Sequence, residues 1–372
     1  MTLSYGAQLD GIKLKEILHH VFESNLQTEQ GGRRGTPVCI WGPHGVGKTA
    51  LVSEYAHARG WKLAYCAPAQ FEEMGDLHGL PTKIDPDPNI AGDEYTVFAP
   101  PAWVPREPGP GILLLDDLNR ADDRILRGLM QLMQNFELFS WTLPPQWQIV
   151  ATANPESGEY SVTPMDDAML TRMIHVSMTF DPKAWAVWAA GANVDPRGID
   201  FVLTYPEAIT GKRTTARSIT QFFEVIRSIA DLRKKAEFVR VLALGTLDET
   251  TAQLFMGYIE DGLEKLIGAD ELLDAVAFTA IAERLETLAG SAEARRVDRL
   301  NAICTRVLAE VTRRSGHLES SQAQNLIELL LHPVLPNDLR LALHRDLLAM
   351  ASDALKAALR EPRLARLLLT GM

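Results

Sequence analysis

The stretch that decides the fold is VCIW, Val38 to Trp41, followed at once by Gly42-Pro43-His44-Gly45-Val46-Gly47-Lys48-Thr49 and then by Leu51, Val52, Tyr55 and Ala56 at helical spacing. Four apolar residues in a row suit a short strand buried on both faces, and the following period suits a helix packed back onto it. Between the two lies GxxxxGK[ST], in the strand-to-helix context that this pattern requires. Glycines at 42, 45 and 47 let backbone N–H groups converge on phosphate oxygens at a helix N-terminus. Lys48 adds a point charge for the β- and γ-phosphates, and the Thr49 hydroxyl is a magnesium ligand. Pro43, His44 and Val46 fill positions at which the pattern is indifferent, so His44 reads as a loop residue within the cradle and not as a catalyst.

Working outward, short apolar runs alternate with helical stretches from Pro37 to about Phe180, the pattern of a parallel sheet with helices on both faces. Trp61, Leu63 and Tyr65 alternate as a second strand, Gly111 to Leu115 form a third and Ile149 to Ala153 a fourth. Ile174, Val176 and Met178 alternate with polar residues, which predicts an edge strand with one wetter face. GILLLDD, Gly111 to Asp117, ends a strand in two carboxylates at the sheet edge that faces the phosphate loop. Asp116 is expected to hold magnesium, directly or through water, and Asp117 to orient and activate the attacking water. The competing reading is a strand-to-helix turn in which the acids only cap the next helix.

Pro81 to Pro110 is rich in Pro, Gly and Asp and reads as an insertion with one hairpin arm near Tyr95 to Phe98. ELFSWTLPPQW, Glu137 to Trp147, reads as a second hairpin with Trp141 exposed at its tip, a candidate contact for a client or a ring pore. After Asp181 only helical periodicity remains. Leu272, Leu273, Val276, Phe278, Ile281, Leu285 and Leu288 read as one helix, with breaks expected at Gly290, Gly316, Pro333, Pro336 and Pro362. The Arg- and Lys-bearing leucine run from Leu339 to Leu369 could dock a partner or a membrane surface, but more often such a stretch is packed helix with a solvated face.

Composition narrows the function. Lys and Arg number 37 against 48 Asp and Glu, for a net charge of -11, so the overall field repels nucleic acid. Cys39, Cys66 and Cys304 are far apart with no CxxC pair, and read as buried small hydrophobes. Neither HExxH nor GxSxG occurs, which leaves zinc hydrolysis and serine-hydrolase chemistry without an anchor. The start of the chain lacks signal-peptide character and no apolar run approaches ~20 residues, so a soluble cytoplasmic protein without membrane contact is expected.

GPHGVGKT, LLLDDLNRA, LPPQWQIVATANP, MDDAMLTRM and RTTARSITQFF, in that order between about Leu14 and Ile229, resemble the MoxR-type AAA+ ATPases. The resemblance implies an α/β P-loop NTPase core of AAA+ type at 37–180, with a parallel sheet flanked by helices. A lead-in helix at 1–36 precedes it, and a helical lid at 181–267 and an all-α extension at 268–372 follow. By matching, it assigns Asn154 to the γ-phosphate and lytic water, Arg172 to an arginine finger acting on the neighbouring subunit, and Arg217 to the lid sensor, with Arg213 a competing choice. Asn119 and Arg120 match the segment after the paired acids and are expected at a subunit interface. ATP with Mg²⁺, a homo-oligomeric ring, most often a hexamer, and a protein client or a von Willebrand A-type partner also follow from the likeness.

The departure is Asp117, where such proteins usually carry Glu. One methylene less moves the carboxylate by about 1.5 Å, and a misplacement of about 1 Å can cost ~10²-fold in rate. Binding is therefore a safer expectation than rapid turnover. Two other readings stand beside the protein-remodelling ATPase: a nucleotide-binding scaffold that switches with little hydrolysis, and a DNA remodeller, which the acidic balance disfavours. Thr82-Lys83-Ile84-Asp85 mimics a guanine-recognition motif, but it precedes Asp116 in the chain, whereas in GTPases that motif follows the magnesium-binding strand.

Overall fold

A strand that is apolar at every position has to be covered on both sides, and β-strand geometry sends alternate residues to opposite faces. In the computed structural model, which describes residues 5–86, 93–155, 161–210, 213–262, 266–291 and 295–370, the central strands obey this. Val38, Ile40, Ile112, Leu114, Val150 and Val176 face one apolar layer, with Leu14, Leu18 and Phe22 and with Leu51, Val52 and Tyr55. Cys39, Trp41, Leu113, Leu115, Ile149 and Ala151 face the other, with Ile125, Leu129 and Leu132.

The elements of this first unit run β1 (Ala7–Leu9), α1 (Gly11–Gln30), β2 (Val38–Trp41), α2 (Lys48–Ala58), β3 (Lys62–Cys66), α3 (Met74–His78), β4 (Leu80–Ile84) and β5 (Tyr95–Ala99). They continue with β6 (Gly111–Leu115), α4 (Asp123–Asn135), β7 (Glu137–Leu138), β8 (Trp141–Thr142), β9 (Trp147–Ala153), α5 (Asp167–Leu170) and β10 (Ile174–Met178). Six strands form one sheet in the order β1-β10-β2-β9-β6-β3, and every pairing is parallel. The fold is that of an AAA+ P-loop NTPase, as expected, with a helical region after it. The carboxyl ends of β2, β9 and β6 lie side by side, with Trp41 in register with Ala153 and Leu115 with Ala151. Whatever follows these three strands is gathered at one edge of the sheet.

Two expectations about the strands change. β10 is interior and not an edge, because the three-residue β1 adds outside it; a strand of AQL is too short for periodicity to show. The edges are β1 and β3, and on β3 Leu63 and Tyr65 are exposed. Trp141 is not an exposed tip. It is buried, donates its indole N–H to the His78 carbonyl at 3.2 Å and meets Trp103 edge-on at 5.6 Å, while Phe139 stands exposed in its place. Phe139 has a positive φ of 51° in the two-residue turn between β7 and β8, so Trp141 opens the second arm instead of forming the tip. The insertion carries an antiparallel hairpin of β4 and β5, and its residues 87–92 lie outside the described residues. Thr82 to Asp85 begins on β4, with Lys83 paired to Glu94 across that hairpin.

The chain divides into two compact units, Met1–Asp181 and Pro182–Met372. Among the described residues the second contains helices and no strand: α6 (Pro182–Gly191), α7 (Pro196–Thr204), α8 (Ala216–Ile226), α9 (Ala236–Thr246), α10 (Glu249–Glu260), α11 (Ala269–Leu273), α12 (Phe278–Ala289), α13 (Val297–Arg313) and four more. Phe201, Phe222 and Phe223 each meet Phe255 edge-on at 5.0 to 5.3 Å, an arrangement worth more than burial alone. The single helix expected around Leu272 to Leu288 is broken in two. Val276 is fully exposed in the break, and Asn325 Nδ2 donates to the carbonyls of Leu273 and Ala275 there. No glycine or proline marks that break; a tertiary contact holds it. The Leu339 to Leu369 run is packed, with Leu343, Leu347, Leu355, Leu359 and Leu364 buried.

Arg306 on α13 is buried and lies 2.8 Å from Asp200 on α7. Burial pushes the Asp200 carboxyl up to about 6, against the pull of that guanidinium. Arg306→Leu should destabilise the protein by about 3–5 kcal/mol, the range for removing one partner of a buried pair. Urea unfolding would show it, and an unchanged midpoint would mean that the pair contributes nothing.

Candidate nucleotide site

The loop between β2 and α2 is shaped by its glycines. Gly42, Gly45 and Gly47 have φ of 157°, 71° and 108°, and a Cβ on Gly42 would lie 2.7 Å from the Met178 carbonyl oxygen. Lys48 opens α2 and is buried. Its ammonium donates to the carbonyls of Gly42 at 2.7 Å and Pro43 at 3.1 Å and to Asn154 Oδ1 at 3.2 Å. A buried cation that donates to loop carbonyls and to the Asn154 amide oxygen is placed to exchange them for a stronger anionic partner.

Thr49 Oγ1 donates to Asp116 Oδ1 at 2.6 Å, so the two expected magnesium ligands touch. Two further residues hold that carboxylate. Thr152 on β9 donates to the same Oδ1 at 2.7 Å and accepts the Asp117 N–H at 2.8 Å, and Tyr65 donates to Oδ2 at 3.1 Å. Burial and the neighbouring Asp116 charge both raise the Tyr65 phenol above its ordinary range, which keeps it a donor. These two escaped sequence reading. Thr152 carried a signal nonetheless, a hydroxyl inside a strand that is otherwise nearly all apolar; Tyr65 read only as one apolar position of a strand.

Asp117 begins the turn after β6 with φ 50° and ψ 44°. Its Oδ1 accepts from Asn154 Nδ2 at 2.9 Å, and its Oδ2 lies 3.2 Å from Arg120 Nε. Asn154 therefore touches both Lys48 and Asp117. Asn119, expected at a subunit interface, is fully buried instead: it donates to the Asn154 carbonyl at 2.8 Å and accepts the Asn154 N–H at 3.0 Å. Its task is to fix Asn154. The acids do not merely cap the next helix, because the N-cap of α4 is Asp122.

Residues 37–173 match the family described as AAA domain (dynein-related subfamily), a stretch that runs from the start of β2 to the turn before β10. This segment is an AAA domain. No curated protein sequence matches the chain. Among solved structures, a mutant of RuvB from Thermotoga maritima is 14% identical, with a TM-score of 0.41, and 85% of this chain and 94% of that one are covered. The Thermotoga maritima RuvB Holliday junction branch migration motor is 14% identical at a TM-score of 0.38, covering 84% and 94%. Likenesses at such TM-scores carry no argument about activity.

Within the AAA domain, Lys48, Thr49, Asp116, Asp117 and Asn154 are brought together, and Arg172 stands apart from them. It follows α5 and donates to Gln134 Oε1 at 3.1 Å and to the Ala168 carbonyl, neither of which belongs to the phosphate loop. In the second unit, Arg217 is exposed on the first turn of α8. Arg213 donates to the Leu244 and Gly245 carbonyls at the end of α9, a capping task that occupies it. All three cysteines are buried, with burial pushing the Cys66 and Cys304 thiols up to about 12, so they act as apolar side chains. Among the described residues, no group of three or more His, Cys, Asp or Glu side chains could hold a metal, and no helix is long and apolar enough to cross a membrane.

Proposed function

We propose that the protein is a Mg-ATP-dependent ATPase of MoxR type that acts in the cytoplasm as a chaperone-like remodeller of protein partners. The observation that supports this best is the contact between Thr49 and Asp116 beside a buried Lys48, with Asn154 joining that lysine to Asp117. The residues fit the ligand. Magnesium keeps several waters and leans on substrate phosphates, so one hydroxyl and one carboxylate are a sufficient protein share. When bound, the ion neutralises charge that develops on the β- and γ-phosphates.

The chain's own groups supply the rest. Backbone N–H groups of 45 to 49 cradle phosphate oxygens at the N-terminus of α2, and Lys48 turns from the loop carbonyls toward them. Asn154, fixed by Asn119, orients water, and the Asp117 carboxylate takes its proton. Arg172 serves a neighbouring copy in a ring, which we take to be a hexamer, and Arg217 couples nucleotide state to the angle of a lid at 181–267, with the residues from 268 on as a further all-α part. The client is a protein, and a von Willebrand A-type partner suits the family likeness. A nucleotide-switched scaffold is the second reading, favoured by one observation: both oxygens of the short Asp117 side chain are already engaged.

The test is phosphate release from ATP and GTP at rising protein concentration, with light scattering to follow assembly. ATP turnover should rise as rings form, and Arg172→Ala should assemble normally while losing about 10³-fold or more in turnover, the scale of a missing arginine finger. Turnover independent of both concentration and Arg172 would end the ring reading. Nucleotide-driven assembly with phosphate release at background would select the scaffold.

A further inference from the structure

Asp117 is restrained more than an activating carboxylate needs to be. Its backbone sits in the left-handed region, its N–H is tied to Thr152, and its own carbonyl accepts the Arg120 N–H at 2.9 Å, closing a tight turn. That turn brings Arg120 Nε to 3.2 Å from Asp117 Oδ2, while Asn154 takes Oδ1. The contacts form one polar chain, Lys48 to Asn154 to Asp117 to Arg120. It begins at a buried ammonium and ends at a guanidinium that is 42% exposed.

We propose that Arg120 is a positioning residue that holds the Asp117 carboxylate back, and that the pair opens when nucleotide draws Lys48 away from Asn154. The proposal rests on the ATPase reading of this site and adds a restraint to it. Aspartate makes the restraint matter: with one methylene fewer than glutamate, its carboxylate has little reach beyond the arc that Arg120 can span from three residues on. Both partners are partly exposed, so the pair is weak and salt-screened, and opening it changes rates by a small factor. Weakness suits a latch that must open in each cycle.

Phosphate release would be measured for wild type, Arg120→Ala and Arg120→Lys at saturating Mg-ATP, with Lys48→Ala as the background. Because bound nucleotide shifts the pair only part of the way to open, Arg120→Ala should raise kcat about three- to five-fold with KM within two-fold, and Arg120→Lys should return most of the restraint. A merely structural role would lower kcat or leave it unchanged. Solvent exchange of the Arg120 guanidinium Nε–H, assigned by its loss in Arg120→Lys, gives a readout apart from turnover. It should be slow in the nucleotide-free protein and speed up when a non-hydrolysable ATP analogue binds.

Exchange that is unaffected by the analogue overturns the proposal, as does a kcat in Arg120→Ala at or below wild type while wild type exceeds the background. Turnover at background in every protein, with the analogue still bound, would overturn the ATPase reading instead. The exchange result would then decide on the Arg120 pair by itself.

Discussion

Lys48→Ala should abolish measurable ATP turnover while leaving the fold intact. The ammonium is buried, 6% exposed, and it donates to two loop carbonyls and to the Asn154 amide oxygen among others. Phosphate would meet this charge where water screens it poorly, and one charge-assisted hydrogen bond is worth about 1.5–3 kcal/mol. Nucleotide binding should weaken by about ten- to a hundredfold on that account. A further loss of about 10²–10³ in kcat is expected because the lost donor also faces charge that builds up in the transition state. Lys48→Arg should fail to restore activity, since a planar fork does not fit a site shaped for a compact point charge. Titration calorimetry and phosphate release separate the two losses. Wild-type turnover within tenfold in the alanine variant would remove this loop from the chemistry.

Most of this site was legible because its parts are local in sequence. Gly42 to Thr49 and the Asp116-Asp117 pair each combine a strand end with residue types that only phosphate and magnesium chemistry needs together, and the parallel sheet brings them to one edge. Asn154 became readable only through the resemblance, since an Asn-Pro after a strand is otherwise an ordinary turn. What stayed hidden depends on side chains meeting across strands. Thr152 touches Asp116 from a strand 36 positions on, and Asn119 braces Asn154 over 35, and neither distance leaves a period in the sequence. Trp141 failed for a related reason: alternation marks which residues share a face, but what covers that face, here Trp103 of the insertion and the His78 carbonyl at the end of α3, comes from elsewhere in the chain. The break at Val276 is set by Asn325 from a helix about fifty residues away, so no local signal could announce it.

Asp117 carries the second large effect, and its two informative variants pull in opposite directions. Asp117→Asn keeps the shape and can keep a contact with Asn154 after an amide flip, but it cannot take a proton. Turnover should fall by about 10²–10⁴, the contribution of a positioned base, with ATP affinity nearly unchanged. Asp117→Glu restores the reach of the usual residue, and if distance limits the rate, kcat should rise toward the ~10²-fold that about 1 Å of misplacement can cost. The backbone offers a reason for aspartate at this position. With φ at 50°, residue 117 occupies the left-handed region, which Asp and Asn visit more readily than longer side chains do. The glutamate variant should therefore melt slightly lower while it hydrolyses faster, a trade of stability for activity that thermal denaturation and phosphate release would record together. Glutamate slower than aspartate would mean that this turn, with Arg120 and Asn154 around it, is built for the shorter acid. Asparagine as fast as aspartate would place the base elsewhere and leave Asp117 as the end of a nucleotide switch.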